Sequence, residues 1–275
     1  MTNSRIDTEG VAMDIPGQTA AGPLLISQAD GVVVLTLNRP NQYNALSLET
    51  LHALHAALDS IAANQEARVA VIAANGNAFC AGHDLKEMRA ANDQAFAIKL
   101  FRLCSDMMLK IAKLPVPVIA EVNGMATAAG CQLVAQCDLA VAALHAKFAV
   151  SGINLGLFCS TPAVPLSRTI SRKRAAEMLM TGEFIDAATA LDWGLVNRVA
   201  PADTLRMETL KLAATLKAKP RAILATGKAL FYRQMEMGIE AAYQDASTTI
   251  AGNFMQPEAQ EGVAAFLEKR KPVWD

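Results

Sequence analysis

An α/β fold with largely parallel strand pairing is predicted for this chain, and three observations predict it. Short apolar runs alternate with helix-spaced segments through the first half, as they do where strands and crossover helices follow one another. Two of the strand-to-helix junctions, Gly76 to Leu85 and Gly124 to Gly130, are built from small residues. From Ser171 onward the chain reads as almost wholly helical, with breaks at Gly182, Gly194 to Pro201, Pro220, Gly238 and Pro257.

The elements follow in order. Leu24 to Ile26 and Val32 to Leu37 flank Asp30-Gly31, a hairpin signal. Ser47 is an N-cap, and Leu48, Leu51, Leu54, Leu58 and Ile61 follow at helical spacing. Arg68 to Ala74 is a buried strand, and Asn75 to Gly82 a loop. One helix starts near Asp84 and a clearer one runs from Asp93 to Lys113. Val116 to Val122 is a strand, Thr127 to Gln136 a buried helix, and Asp138 to Ala143 another strand. The domain division expected is a tail over 1–22, an α/β core over 23–200 and a helical region over 201–275.

Composition narrows the function. Hydrophobic residues make up 52% and aromatics only 5%, so Ala, Leu, Val and Met carry the core. A net charge of −1 gives no reason to expect nucleic acid or anionic lipid as a partner. No apolar run reaches the roughly 18 residues that a membrane span needs. The first 22 residues have neither a signal-peptide apolar core nor an Arg-rich bias, which reads as a mobile tail and a cytoplasmic location. The five cysteines include no C-x-x-C pair and read as reduced core residues. His52 and His55 lack a Glu or Cys partner, and His145 sits in a surface-like loop, so no metal site is expected. No P-loop, G-x-S-x-G or G-x-G-x-x-G occurs.

The two small-residue junctions share one physical logic. Each brings backbone N–H groups to the start of a helix, where unpaired donors and the positive dipole end favour developing negative charge. Two such turns together supply the minimum for an oxyanion hole. Taken singly, each is better explained by close packing, the usual reason for small residues at strand–helix turns.

NRPNQYNALS, GNAFCAGHDL, VNGMATAAGCQL and CDLAVA, with a C-terminal FLEKRKP, together resemble the crotonase superfamily of enoyl-CoA hydratases and isomerases over Leu24 to Pro272. INLGLFCSTP and MLMTGEFIDAATALDWGLVNRV further resemble its enoyl-CoA hydratase domain-containing protein 3 branch. The resemblance implies a spiral of ββα units with a helical C-terminal region that builds trimers, often paired into hexamers. It implies an acyl-CoA thioester as substrate, and no cofactor besides. The oxyanion donors fall on the backbone N–H groups of His83 and Ala129. Asn44, Ala45, Leu46, Ala81, Gly82, Asp84 and Leu85 fall where the family lines its CoA channel. Phe266 and Lys269 match tail positions that reach a CoA held by a neighbouring subunit.

The departures matter as much. One family catalytic Glu falls on Gln132, the other on Gly152, and the Asp used by some relatives falls on Ser160. None of the three is a carboxylate. Gln132 can hold a water but cannot take a proton at neutral pH. Ser160 or Cys159 could act as a weak acid–base group if a helix starting near Thr161 lowered its pKa; otherwise they cap and pack that helix. An imidazole such as that of His83 ordinarily titrates near neutrality, although the resemblance assigns the role of this residue to its backbone. Three readings follow: an atypical acyl-CoA enzyme, a non-catalytic acyl-CoA binder, or an interaction or RNA-binding role, with the near-neutral charge and lack of a basic run speaking against RNA.

Overall fold

The computed structural model describes residues 22–274; the tail expected over 1–22 lies, except for Gly22, outside them. Strands β1 (Leu24–Ala29) and β2 (Val32–Leu37) form the antiparallel hairpin, pairing Leu24 with Leu37. Asp30 and Gly31 at its tip both take positive φ, 48° and 75°, the left-handed pair that Asp-Gly tolerates and most residues do not.

From β2 the chain passes through α1 (Leu48–Ala63), whose cap is the Ser47 hydroxyl accepting from the Thr50 N–H. It then enters β3 (Val69–Ala74), which pairs with β2 in parallel. The small helix α2 (Leu85–Ala91) and the long α3 (Gln94–Lys113) lead to β5 (Val118–Val122). Helix α4 (Ala129–Gln136) leads to β7 (Leu139–Ala143), and β10 (Arg198–Ala200) closes the sheet. The sheet has six strands in the order β1-β2-β3-β5-β7-β10, parallel except at the hairpin.

Strand β3 explains why its sequence reads as a continuous apolar run. Ala70 and Ile72 face a core shared with α1 and α3, while Val69 and Val71 face a second core with Leu205, Leu212 and Ala213 of α8 (Leu205–Lys217). A parallel strand covered on both faces has no polar side to alternate with.

A second sheet escaped the sequence reading. Strands β4 (Ala78–Cys80), β6 (Met125–Thr127), β8 (Lys147–Ala149) and β9 (Ile185–Asp186) pair in the order β4-β6-β8-β9. At two or three residues each, they are too short for any periodicity to register. So Asn75 to Gly82 is not all loop, Thr127 belongs to a strand, and the region after Ser171 contains β9 and β10 among its helices.

Helix α5 (Ser160–Thr169) precedes Ser171, and after it come α6 (Arg172–Thr181), α7 (Ala187–Trp193), α8, α9 (Arg221–Gln234), α10 (Ile239–Phe254) and α11 (Pro257–Leu267). Helix α9 is tied to the main sheet through a buried ion pair. Asp138 Oδ2 accepts from Lys228 Nζ at 2.6 Å and from the Val118 N–H at 2.7 Å, and Oδ1 accepts from the Tyr232 hydroxyl at 2.8 Å. Lys228 spends its remaining protons on the carbonyls of Ile111 and Val116. Burial pushes the Lys228 ammonium down, against the pull of Asp138, and pushes the Tyr232 phenol up.

Candidate functional site

The two small-residue junctions meet. The first leaves β4 through Ala81, Gly82 and His83 and reaches Asp84, whose carboxylate caps α2 by accepting from the Lys86 and Glu87 N–H groups. Gly82, at φ +94°, is tied on one side to the segment before α1. The Leu46 N–H donates to its carbonyl at 2.8 Å, and the Asp84 N–H donates to the Leu46 carbonyl at 3.3 Å. The His83 N–H between them therefore faces the other way, since successive strand amides alternate in direction.

The second junction packs against Gly82 of the first. A Cβ on Gly82 would lie 2.9 Å from Ala128 Cβ and 3.2 Å from the Ala129 nitrogen, so the two turns are already in contact. The Thr127 hydroxyl donates across the gap to the Ala81 carbonyl at 3.1 Å. Ala129 is the first residue of α4, where helix N–H groups have no acceptor within the helix. Gly130 presses against β4 so closely that a Cβ there would overlap the Cys80 carbonyl.

One residue carries the strain of this arrangement. Ala128 sits at φ 49°, ψ −119°, a conformation that L side chains rarely adopt and that costs about 1–3 kcal/mol. It swings the Ala128–Ala129 peptide out of β6 and into the start of α4, which is why the helix expected from Thr127 begins two residues later. Nothing in the sequence signals that strain.

A latch of polar side chains holds the first junction, and it too escaped the sequence reading. Arg39 pairs with Asp84 at 3.0 Å and donates to the Ala45 carbonyl at 2.9 Å. Burial pushes the Asp84 carboxyl up, but the Glu87 N–H and the Arg39 guanidinium outweigh it and hold the group below its ordinary value. Asn44, at positive φ and 1% exposed, accepts from the Arg39 N–H and donates to the carbonyls of Asn75 and Ala78. Its side chain is a strut. Leu46 is also fully buried, so neither the Asn44 nor the Leu46 side chain is free to line the expected channel. Ala45 is nearly buried, Ala81 half-buried and Leu85 exposed.

The positions without carboxylates are now located. Gln132 lies one turn along α4 from Ala129, is 3% exposed, and its Oε1 is buried with no hydrogen-bond partner among the described residues. Gly152 lies in a short 3-10 turn (Ser151–Leu155), where a Cβ would stand 2.6 Å from the Leu157 carbonyl oxygen and 2.7 Å from Cys159 Sγ. There is no room for a side chain. Gln132→Glu with Gly152→Glu is therefore expected to be less stable than Gln132→Glu alone by about 1–3 kcal/mol, as overpacked sites are. The pair should also gain no hydration of crotonyl-CoA; a double variant as stable as the single one, with new activity, would refute this packing account.

Ser160 does not cap α5. Cys159 occupies the cap position without a side-chain bond, and the Ser160 hydroxyl, exposed, donates to the Phe158 carbonyl at 3.3 Å. Burial pushes the Cys159 thiol up more than the Gly152 N–H lowers it, so the helix start yields no thiolate. Phe266 is 83% exposed, and Lys269 follows α11 at φ 56°. A cavity of about 410 Å³ near Phe266 is lined by Pro220, Ile223, Gly262 and Trp274 among others, with no residue from either junction.

The imidazole of His83 packs edge-on against Phe101 of α3, centroids 5.0 Å apart, with Nε2 buried and unpartnered among the described residues. Burial lowers its pKa to about 4 from 6.5, so the ring is neutral at pH 7. The unfolded chain then protonates first on acidification. This group's contribution to stability is complete above about pH 6.5 and is lost as pH falls toward 4. With allowance for solvent at the half-buried ring, wild type should lose about 1–2 kcal/mol of unfolding free energy between pH 7 and 5 that His83→Phe keeps. Urea titrations at both pH values check it; equal losses in the two proteins would contradict the burial of this ring.

A crotonase-like fold is what known proteins share with this chain. Residues 27–275 match the family model described as enoyl-CoA hydratase/isomerase, and the chain belongs to that family. It is 44% identical over 261 residues to the mouse enoyl-CoA hydratase domain-containing protein 3, mitochondrial, covering 94% of this chain and 87% of that protein. Its structure is similar to that of an enoyl-CoA hydratase of Mycobacterium smegmatis, with a TM-score of 0.90 and 58% identity over 92% of this chain and 98% of the other. It is similar also to the human enoyl-CoA hydratase domain-containing protein 3, with a TM-score of 0.89 and 44% identity over 92% of this chain and all of the other. These relatives correct one expectation. The mouse, rat and human proteins are named mitochondrial, against the cytoplasmic location inferred from a leading segment without an Arg-rich bias.

Proposed function

We propose that this protein binds an acyl-CoA thioester and polarises its carbonyl between the backbone N–H groups of His83 and Ala129. The observation that carries the reading is the contact of Gly82 with the Ala128–Ala129 peptide, which draws the two donor turns to one place. Removing one such donor commonly costs a factor of about 10²–10³ in rate. The reaction is atypical or weak hydratase or isomerase chemistry on acyl-CoA, since Gln132 is an amide and Gly152 has no space for a side chain. The same two positions favour a second reading, a non-catalytic acyl-CoA binder. A thioester hydrolase or decarboxylase would use the same donors.

Hydration of crotonyl-CoA, followed by loss of the enoyl absorbance, is expected to run about 10²–10⁴-fold below a relative that carries both carboxylates. Turnover at a normal hydratase rate would overturn the inference from Gln132 and Gly152. Calorimetric titration with acetyl-CoA or a longer acyl-CoA tests binding itself, and no heat and no thermal shift would sink both readings. The CoA thioester is the substrate, and this chemistry calls for no further cofactor and no metal.

Assembly as a homotrimer or a dimer of trimers is part of the proposal. Helices α9 and α10 leave Phe231, Ile239, Tyr243, Ile250 and Phe254 exposed within one chain, an apolar area that an interface would cover. Light scattering on the purified protein reads the mass directly. Among the described residues, no helix is long and apolar enough to cross a membrane.

A further inference from the structure

We infer that Asn123 is a positioning residue that sets the register of β6 against β4, and with it the spacing of the His83 and Ala129 N–H groups; this rests on the oxyanion reading above. The observation is a mismatch that strand pairing alone does not settle. Three residues, Asn75 to Asn77, join β3 to β4, whereas two, Asn123 and Gly124, join β5 to β6. The register slips again inside the pair: Ala78 lies opposite Met125, but Cys80 lies opposite Ala126. Strands this short with a shifted ladder hold their register weakly, so a further constraint has to choose where β6 starts.

Asn123 supplies it. Its Nδ2 donates to the Ala74 carbonyl at 3.0 Å and to the Gly76 carbonyl at 2.7 Å, so one side chain of the shorter connection brackets Asn75 in the longer one. Asn44 takes the alternate carbonyls, those of Asn75 and Ala78. Gly124 seats the bracket: a Cβ there would stand 2.2 Å from the Asn77 carbonyl oxygen, so the two connections touch backbone to backbone. The Asn123 amide has one usable orientation, because the reverse would aim its oxygen at two carbonyl oxygens. Its Oδ1 is buried and accepts no bond among the described residues, so the two donor bonds are what orient the amide.

From this anchor the chain runs with little slack to the second donor. Strand β6 spans only Met125–Thr127, and Ala128 turns directly into Ala129 at the start of α4. The Thr127 hydroxyl, donating to the Ala81 carbonyl, ties the far end of β6 to the first junction; Asn123 ties the near end. Strand β4 spans only Ala78–Cys80 before the turn that presents His83. Without Asn123 the carbonyls of Ala74 and Gly76 lose their donor, the start of β6 is released, and the Ala129 N–H shifts against that of His83. Two donors that share one carbonyl oxygen are sensitive to such a shift, because hydrogen bonds weaken steeply away from good geometry. Contacts to the rest of a CoA thioester are not. Asn123 therefore acts through β6, not by touching the thioester.

The test uses the full chain and two probes that differ only at the carbonyl, acetyl-CoA and its thioether S-ethyl-CoA, titrated calorimetrically into wild type, Asn123→Ala and Asn123→Ser. Wild type should bind acetyl-CoA about tenfold tighter than S-ethyl-CoA, the difference being the carbonyl held between two N–H groups. Asn123→Ala should lose that preference while binding S-ethyl-CoA within about twofold of wild type. Asn123→Ser, which keeps one donor, should retain part of the preference. A preference of wild-type size in both variants overturns the role of Asn123 and leaves the oxyanion reading standing. Equal weakening toward both probes means that Asn123 only supports the fold, and overturns the role as well. A folded wild type that binds both probes equally, or neither, overturns the oxyanion reading and this inference with it. One measurement needs no variant. Followed by NMR, both Nδ2 protons of Asn123 should exchange with deuterium as slowly as the β5 backbone amides. Exchange at the rate of a free amide would show the bracket open and refute the inference, even where a substituted protein fails to fold.

Discussion

Gly130→Ala is expected to destabilise the protein by about 3 kcal/mol or more and to abolish binding of acyl-CoA by whatever remains folded. A single methyl group at this position would overlap the Cys80 carbonyl oxygen, a backbone atom in a fully buried strand. Neither side can yield cheaply. Cys80 belongs to β4, which pairs with β6, and β6 runs through the strained Ala128 into the same helix that carries Gly130. Overpacking of this kind typically costs 1–3 kcal/mol and more where backbone must move. The functional loss has a separate cause: a shift of α4 away from β4 carries the Ala129 N–H away from Gly82 and His83. Denaturant unfolding and titration with acetyl-CoA measure the two effects independently. A variant with wild-type stability and affinity would show that the backbone contact between α4 and β4 does not organise the site.

Lys228→Met should cost about 3–5 kcal/mol in urea unfolding, although it lies outside the proposed site. The substitution keeps the length of the side chain but strips the ammonium from Asp138, whose carboxylate would remain buried with only the Val118 N–H and the Tyr232 hydroxyl. Breaking one side of a buried ion pair leaves an uncompensated charge, which is far costlier than replacing the pair together. It also strands the carbonyls of Ile111, in the last turn of α3, and Val116. Adding Asp138→Asn to Lys228→Met should therefore recover part of the loss, as residues in one network are not additive. A cost below about 1 kcal/mol for Lys228→Met, or no recovery in the double variant, would mean that α9 is held by its apolar contacts alone.

Local signals were enough for the elements that carry them locally. The Asp30-Gly31 tip, the Ser47 cap, the helical spacing from Leu48 to Ile61 and the unbroken apolar run of β3 each declare themselves within a few neighbouring residues. The second sheet does not, because β4, β6, β8 and β9 exist only through pairing with one another across dozens of residues. Arg39, Asn44 and Asp84 are a parallel case. Each is an ordinary polar residue in sequence, and only the fold shows that together they hold one turn in place. Ser160 is a different case: the helix expected near Thr161 is present from Ser160 with Cys159 at its cap, and only the Ser160 hydroxyl departs, bonding the Phe158 carbonyl at the surface.

Membership of the enoyl-CoA hydratase/isomerase family and the absence of carboxylates at positions 132, 152 and 160 were determined by the sequence alone, because residue identity and motif order are properties of the chain itself. What only the tertiary structure decided is what those absences mean. Gly152 is closed by Leu157 and Cys159, so its missing carboxylate is built into the packing. Gln132 is buried with an unspent oxygen, and His83 with an unspent nitrogen. Such facts depend on which distant backbone lies against each atom, and that is set by close packing between segments that no local pattern relates.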